Sequence, residues 1–81
     1  MSPQITIEYF AMLREQAQKD SEEWIDAPDS ITEVYSQLKS KYQFTLDQTQ
    51  LRVAVNNEFV EWNHKLHQND KVTFIPPVAG G

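Results

Sequence analysis

Residues 4–10, QITIEYF, alternate apolar and polar. Ile5, Ile7 and Tyr9 fall on one face, and Thr6, Glu8 and Phe10 on the other, which is the period of a strand. The alternation stops at AMLREQAQ (11–18), a run of helix formers long enough for two turns. SEEWIDA (21–27) returns to a weak strand pattern that ends before Pro28. Ser30 and Glu33 have the spacing of a capping box. Behind it, Ile31, Val34, Tyr35, Leu38 and Tyr42 form one apolar stripe at helical period. Residues 43–50 read as a polar connection around Phe44 and Leu46. LRVAVN (51–56) is the next strand, with Leu51, Val53 and Val55 inward. Asn56-Asn57 turns the chain, since Asn tolerates left-handed backbone, and Phe59-Val60 adds a very short strand. HQND (67–70) is another turn, with Asn69 as its left-handed residue, before KVTFI (71–75).

This order predicts an α+β domain: a sheet of four to five strands with one long helix packed on one face. The domain spans residues 1–75 and is followed by an extended C-terminal tail, 76–81. Parity makes the other face informative. In the last strand Val72 and Phe74 point one way, and Lys71, Thr73 and Ile75 the other. Phe10 shares the phase of Thr6 and Glu8. Phe10 and Ile75 thus each close a strand on its polar side, and Phe59 lies on a nearby short strand. Single apolar residues on a surface are ordinary. Three together predict an exposed apolar patch, which marks a partner surface.

Composition narrows the function classes. A chain of 81 residues is one small domain. It has no cysteine, so disulfides, Cys-ligated zinc and a thiol nucleophile are all excluded. The net charge is −5 and the Lys and Arg residues are scattered, which argues against nucleic-acid binding. No signal-peptide pattern or membrane-length apolar run is present, and a cytoplasmic location is expected.

The sequence closes on VTFIPPVAGG, which holds both of the chain's glycines. Pro76 and Pro77 lack N–H groups, end the strand ladder and stiffen the start of the tail. Six extended residues, Pro76 to Gly81, reach roughly 20 Å. Gly80 and Gly81 fit a narrow channel in which any side chain would clash. They offer no chemistry beyond backbone and the terminal carboxylate. The group presented is therefore the carboxyl end itself, which adenylation would activate and sulfur could then convert to a thiocarboxylate.

Other residues carry weaker signals. His64 and His67 stand three apart in a polar stretch without a third ligand, so surface histidines are expected and no metal site. Glu22-Glu23 reads as a solvated edge, and Asp26 and Asp29 as a charge preference ahead of a helix. Trp24 and Trp62 read as half-buried packing. Arg14 either pairs with a partner carboxylate or covers apolar surface with its stem. No phosphate loop and no nucleophile–base constellation is present, so the chain by itself reads as catalytically inert.

Three stretches carry a family resemblance that covers nearly the whole chain. YFAMLRE (9–15), VAVNNEFV (53–60) and above all DKVTFIPPVAGG (70–81) resemble the small subunit of molybdopterin synthase, a sulfur carrier with the ubiquitin-like β-grasp fold. Asn69 stands where that family usually has glycine, Ile75 where phenylalanine is common, and Phe59 where leucine is common. The resemblance implies a mixed sheet. It implies that Gly81 is adenylated by an ATP-dependent, E1-like adenylyltransferase and then receives sulfur from a donor protein. ATP is used by that partner, and the chain itself binds no cofactor.

It further implies that Val78, Ala79, Gly80 and Gly81 enter the large subunit of a heterotetrameric synthase. There sulfur passes to cyclic pyranopterin monophosphate in molybdenum cofactor biosynthesis. Phe10, Phe59, Ile75, Pro76 and Pro77 would line the interface. A thiamine-pathway sulfur carrier, a ubiquitin-like protein modifier and a plain β-grasp interaction module remain open as alternatives.

Overall fold

The computed structural model describes residues 3–77. Val78, Ala79, Gly80 and Gly81, on which the tail reading rests, lie outside the described residues. Within them the chain runs β1 (Ile5–Tyr9), α1 (Met12–Ala17), β2 (Ser21–Trp24), α2 (Ile31–Tyr42), β3 (Arg52–Val55), β4 (Glu58–Val60) and β5 (Asp70–Ile75). A single 3-10 turn, Gln48–Gln50, precedes β3. The five strands form one sheet in the order β2-β1-β5-β3-β4. β1 and β5 are parallel, and every other pairing is antiparallel. A mixed five-stranded sheet with one main helix across it is the ubiquitin-like β-grasp that the resemblance implies.

The alternation in β1 appears as strictly alternating burial, with Ile5, Ile7 and Tyr9 inside. α2 begins where the Ser30 side chain accepts a hydrogen bond from the Glu33 N–H at 3.3 Å. Its buried stripe is Ile31, Val34, Tyr35 and Leu38. The helix ends at Gln43, which takes the left-handed conformation and donates its N–H to the Lys39 carbonyl. Asn56 and Asn57 have φ of 54° and 74°, and Asn69 has φ of 68°. These are the left-handed turns that asparagine chemistry predicts. A two-residue turn of this hand matches the twist of the β3–β4 hairpin. Asn56 also ties that hairpin to β5, donating through Nδ2 to Asp70 and accepting through Oδ1 from the Lys71 N–H, both at 2.9 Å.

Two boundaries and the character of one connection differ from what the sequence pattern predicts. β2 stops at Trp24 instead of running to Ala27, because Asp26 turns the chain with φ of 59°. Ala27 then donates to the Pro3 carbonyl, and Ile25 is left exposed. β3 starts at Arg52, since Leu51 closes the 3-10 turn while remaining buried. The connection at 43–50 is not simply polar. Phe44 is buried, and the Tyr35 hydroxyl donates to the Leu46 carbonyl at 2.6 Å.

The core lies between α2 and one sheet face, and its centre is aromatic. The Tyr35 ring lies 5.2 Å from Phe74, 5.9 Å from Phe44 and 5.9 Å from Trp62, centroid to centroid. Tyr9 and Tyr42 extend the cluster toward β2. Trp24 and Trp62 pack half-buried against this core, in line with the sequence pattern. Burial, together with the charge of Asp47 nearby, pushes the Tyr35 hydroxyl up to about 12.

Glu22 corrects the sequence reading most clearly. It faces the core side of β2, opposite Ile7, and is not a solvated edge residue. Its Oε1 accepts from the Tyr9 hydroxyl at 2.5 Å and the Tyr42 hydroxyl at 2.6 Å. Its Oε2 lies 3.7 Å from Lys41 Nζ and 3.8 Å from Lys19 Nζ. Burial works against the charge on Glu22, but the two tyrosine hydroxyls and Lys41 outweigh it and hold the carboxyl below the usual range. The same contact helps burial push the Tyr9 hydroxyl far above its ordinary value.

One carboxylate thus accepts from the hydroxyls of the buried Tyr9 and the half-buried Tyr42 and joins the edge strand to the last turn of α2. Glu22→Ala is expected to lower stability by about 2–3 kcal/mol, because both hydroxyls lose a charged acceptor. A carboxyl lowered in the folded state stabilises fully above its unfolded value of about 4.3. That contribution fades as pH falls through the folded value. The stability gap between the wild type and Glu22→Gln should therefore be widest near neutral pH and close on acidification below pH ~4. Urea unfolding across that range measures it, and a gap that does not narrow would contradict the assignment.

Candidate functional site on the open sheet face

The face of the sheet opposite α2 carries the residues that sequence parity singles out. Pairing register sets it out row by row. Ser21, Glu8, Thr73, Ala54 and Phe59 form one row across all five strands. Glu23, Thr6 and Lys71 form a second row. Ile75 and Arg52 are paired in a third. Phe10 lies one step beyond the Tyr9–Phe74 pair, level with Ile75. Phe10, Ile75 and Phe59 therefore share this face.

Their exposure differs. Phe59 is 59% exposed and Phe10 43%, whereas Ile75 is half-buried. Between them the face is already closed: Thr73 and Ala54 are buried, and the Thr73 hydroxyl donates to Glu8 Oε1 at 3.2 Å. Of the four phenylalanines, Phe44 and Phe74 belong to the core cluster, and Phe10 and Phe59 stand outside it.

The prolines also separate. Pro76 is buried against the domain and Pro77 is exposed. Pro76 therefore presents little surface, and its part is to fix the direction in which the chain leaves β5. On the β1 side, the exit to α1 passes through Ala11, with φ of 52° and ψ of −126°. Glycine holds that conformation without steric cost and alanine does not. The turn lets Phe10 stay on the surface while Leu13 is buried, and the Leu13 N–H returns to the Phe10 carbonyl at 3.0 Å.

Arg52 is a member of this face that the sequence reading does not single out. Its guanidinium carbon lies 4.1 Å from the centroid of the Phe59 ring, within cation–π range. The signal is present in the sequence, because Arg52 is in phase with Ala54 and hence with the open face. By charge alone, however, it is one of several scattered cations.

The remaining candidates sit elsewhere. Arg14 is 3.7 Å from Asp20 and mostly exposed. His67 Nδ1 is 4.0 Å from Asp70 at the turn before β5, and His64 is exposed two residues before Leu66. Asp29 pairs with Lys65 at 3.4 Å beside the start of α2. Among the described residues no group of three or more His, Asp or Glu is placed to hold a metal. No helix among them is long and apolar enough to cross a membrane.

The arrangement offers a small apolar surface with a cation at its edge, set where β5 ends. Because these side chains contribute little to the core, the face and the fold are separable. Phe10→Ala and Phe59→Ala are each expected to shift unfolding free energy by less than about 1 kcal/mol, whereas Phe74→Ala should cost about 3–5 kcal/mol. Urea denaturation of the three variants checks this, and large losses at Phe10 or Phe59 would mean that the patch is part of the core.

Comparison with known proteins agrees with this geometry. Residues 7–81 match the model of the ThiS family. The molybdopterin synthase sulfur carrier subunit of Escherichia coli K12 is 31% identical over 80 residues, covering 95% of this chain and 99% of that protein. A Pyrococcus furiosus structure, assigned as molybdopterin converting factor subunit 1, superposes with a TM-score of 0.74 at 28% identity, over 95% of this chain and 100% of that one. A chain from the Helicobacter pylori complex of molybdopterin-converting factor subunits 1 and 2 shares the fold, with a TM-score of 0.69 at 18% identity over 96% and 99% of the two chains. With its match running from the first strand to Gly81, the chain belongs to the ThiS family, and its relatives include molybdopterin synthase sulfur carrier subunits.

Proposed function

We propose that this chain is the sulfur-carrying small subunit of a molybdopterin synthase, and that Gly81 is its working end. The Gly81 carboxylate attacks the α-phosphate of ATP in an E1-like adenylyltransferase, releasing pyrophosphate. Sulfide-level sulfur delivered by a donor protein then attacks the acyl carbon, the C–O bond to AMP breaks, AMP leaves, and a thiocarboxylate remains. The large subunit binds the open sheet face through Phe10, Phe59 and Ile75. Val78, Ala79, Gly80 and Gly81 extend into it, with Pro77 at the base of that segment. There the thiocarboxylate sulfur bonds to cyclic pyranopterin monophosphate, water cleaves the acyl C–S bond and returns Gly81 to a carboxylate, and two carriers supply the two sulfurs of the dithiolene.

One observation carries this reading. The last open-face residue of β5, Ile75, is level with Phe10 and immediately precedes Pro76-Pro77. A partner that covers the patch is therefore already at the base of the Gly-Gly segment. The full-length similarity to named sulfur carrier subunits supports the same assignment. ATP chemistry belongs to the activating partner and sulfur transfer to the large subunit. The carrier supplies a docking surface and a carboxylate.

The intact mass of the protein, incubated with ATP and a sulfur source in a lysate of its own cells, tests the proposal. A gain equal to the sulfur-minus-oxygen difference is expected, and it should disappear when Gly81 is deleted. A covalent adduct on other proteins would instead indicate a modifier. An unchanged mass, with the activating enzyme shown to be active, would overturn the carrier reading.

A further inference from the structure

The chain's cations are unevenly used. Of its seven Lys and Arg residues, five lie against a carboxylate: Arg14 by Asp20, Lys19 and Lys41 by Glu22, Lys39 by Asp47, and Lys65 by Asp29. The other two are Arg52 and Lys71. Both point to the open face, and among the described residues neither has a carboxylate within ion-pair distance. In a chain of net charge −5, cations left over on one face are a property of that face.

The two differ in place. Arg52 is paired with Ile75 and rests on the Phe59 ring, at the edge of the apolar patch and in contact with it. Lys71 is four residues before Ile75 on β5, about 13 Å away along the strand. A partner that covers Phe59 must also cover Arg52. Removing a guanidinium from water without a counter-charge is costly. The planar guanidinium, held against an aromatic ring, matches the two oxygens of a carboxylate.

We propose that Arg52 is a specificity-determining contact of the docking face, and that the partner surface is apolar with a carboxylate side chain set against Arg52. The inference rests on the docking role of this face proposed for the carrier. The apolar residues would supply most of the contact area. The ion pair would set register and penalise partners with a neutral or basic residue at that point.

The test is calorimetric titration of the chain with the molybdopterin synthase large subunit of the same organism, at low and at high sodium chloride. Arg52→Gln is expected to weaken binding roughly tenfold or more at low salt and to flatten its salt dependence. Arg52→Lys should recover part of the loss, because it keeps the charge without the planar fork. Lys71→Gln removes the same charge outside the patch and should stay within about twofold of the wild type.

If Arg52→Gln matches the wild type in affinity and salt dependence while Phe59→Ala still weakens binding, the role of Arg52 is overturned and the docking face stands. If the wild-type chain does not bind the large subunit, or if Phe59→Ala and Arg52→Gln are both without effect, the docking reading itself fails. Arg52 is exposed, so these variants are expected to fold, and urea unfolding of each confirms that binding is being read.

Discussion

Parallel pairing of the first strand with the last is the constraint on which the rest of this structure depends. Ile5 lies opposite Asp70 and Tyr9 opposite Phe74. Closing so long a loop is entropically unfavourable, and the closure is held by a hydrogen-bonded ladder whose inward side chains, Ile5, Ile7, Tyr9, Val72 and Phe74, are all buried. The pairing puts both terminal strands in the middle of the sheet, with β2 on one side and the β3–β4 hairpin on the other. This has two functional consequences. Phe10 and Ile75, distant in sequence, come level on one face. The chain also leaves the sheet from a central strand, directly after the open-face residue Ile75, and not from a sheet edge.

The two faces then divide the work. On the core side, the aromatic cluster around Tyr35 fixes α2 against the sheet, and Glu22 satisfies the hydroxyls at the cluster's edge. On the other side, Thr73 and Ala54 close the centre while Phe59 and Phe10 stay exposed around it. Burial of the core supplies the stability, so the exposed aromatics can change at little cost to the fold. Substitutions at sites without shared contacts act nearly additively. The proposed docking face can therefore change while the fold is kept.

Much of this is legible in the sequence because it rests on period. The alternation in β1 and β5 and the stripe in α2 each have one physical solution, and the left-handed turns at Asn56, Asn57 and Asn69 arise from residue chemistry. Parity is enough to put Phe10, Phe59 and Ile75 on one face. The features that escape a sequence reading depend on partners distant in the chain. Glu22 looks like a solvated edge carboxylate because nothing local announces the hydroxyls of Tyr9 and Tyr42. Arg52 looks like one cation among seven because its contact with Phe59 crosses a hairpin. The end of β2 is hidden because a non-glycine residue, Asp26, takes the turn. Pro76 and Pro77 read alike in sequence, yet only Pro77 is exposed.

The proposed carrier role also explains why a docking face and a Gly-Gly end belong together. Holding Val78–Gly81 in one conformation costs about 4–8 kcal/mol at ~1–2 kcal/mol per residue, and glycine makes that cost higher. A segment without large side chains makes few contacts with which to offset it. Affinity must then come from the folded body, through surface that is already rigid before the partner arrives. Ile75 on β5 and Phe10 at the end of β1 meet that need, since both strands are held on both sides by neighbours, while Phe59 sits on the edge strand β4. The fixed φ of the buried Pro76 lowers the conformational entropy that binding would otherwise have to remove at that position. The body supplies affinity and selectivity, and the end supplies the carboxylate, so neither has to compromise for the other.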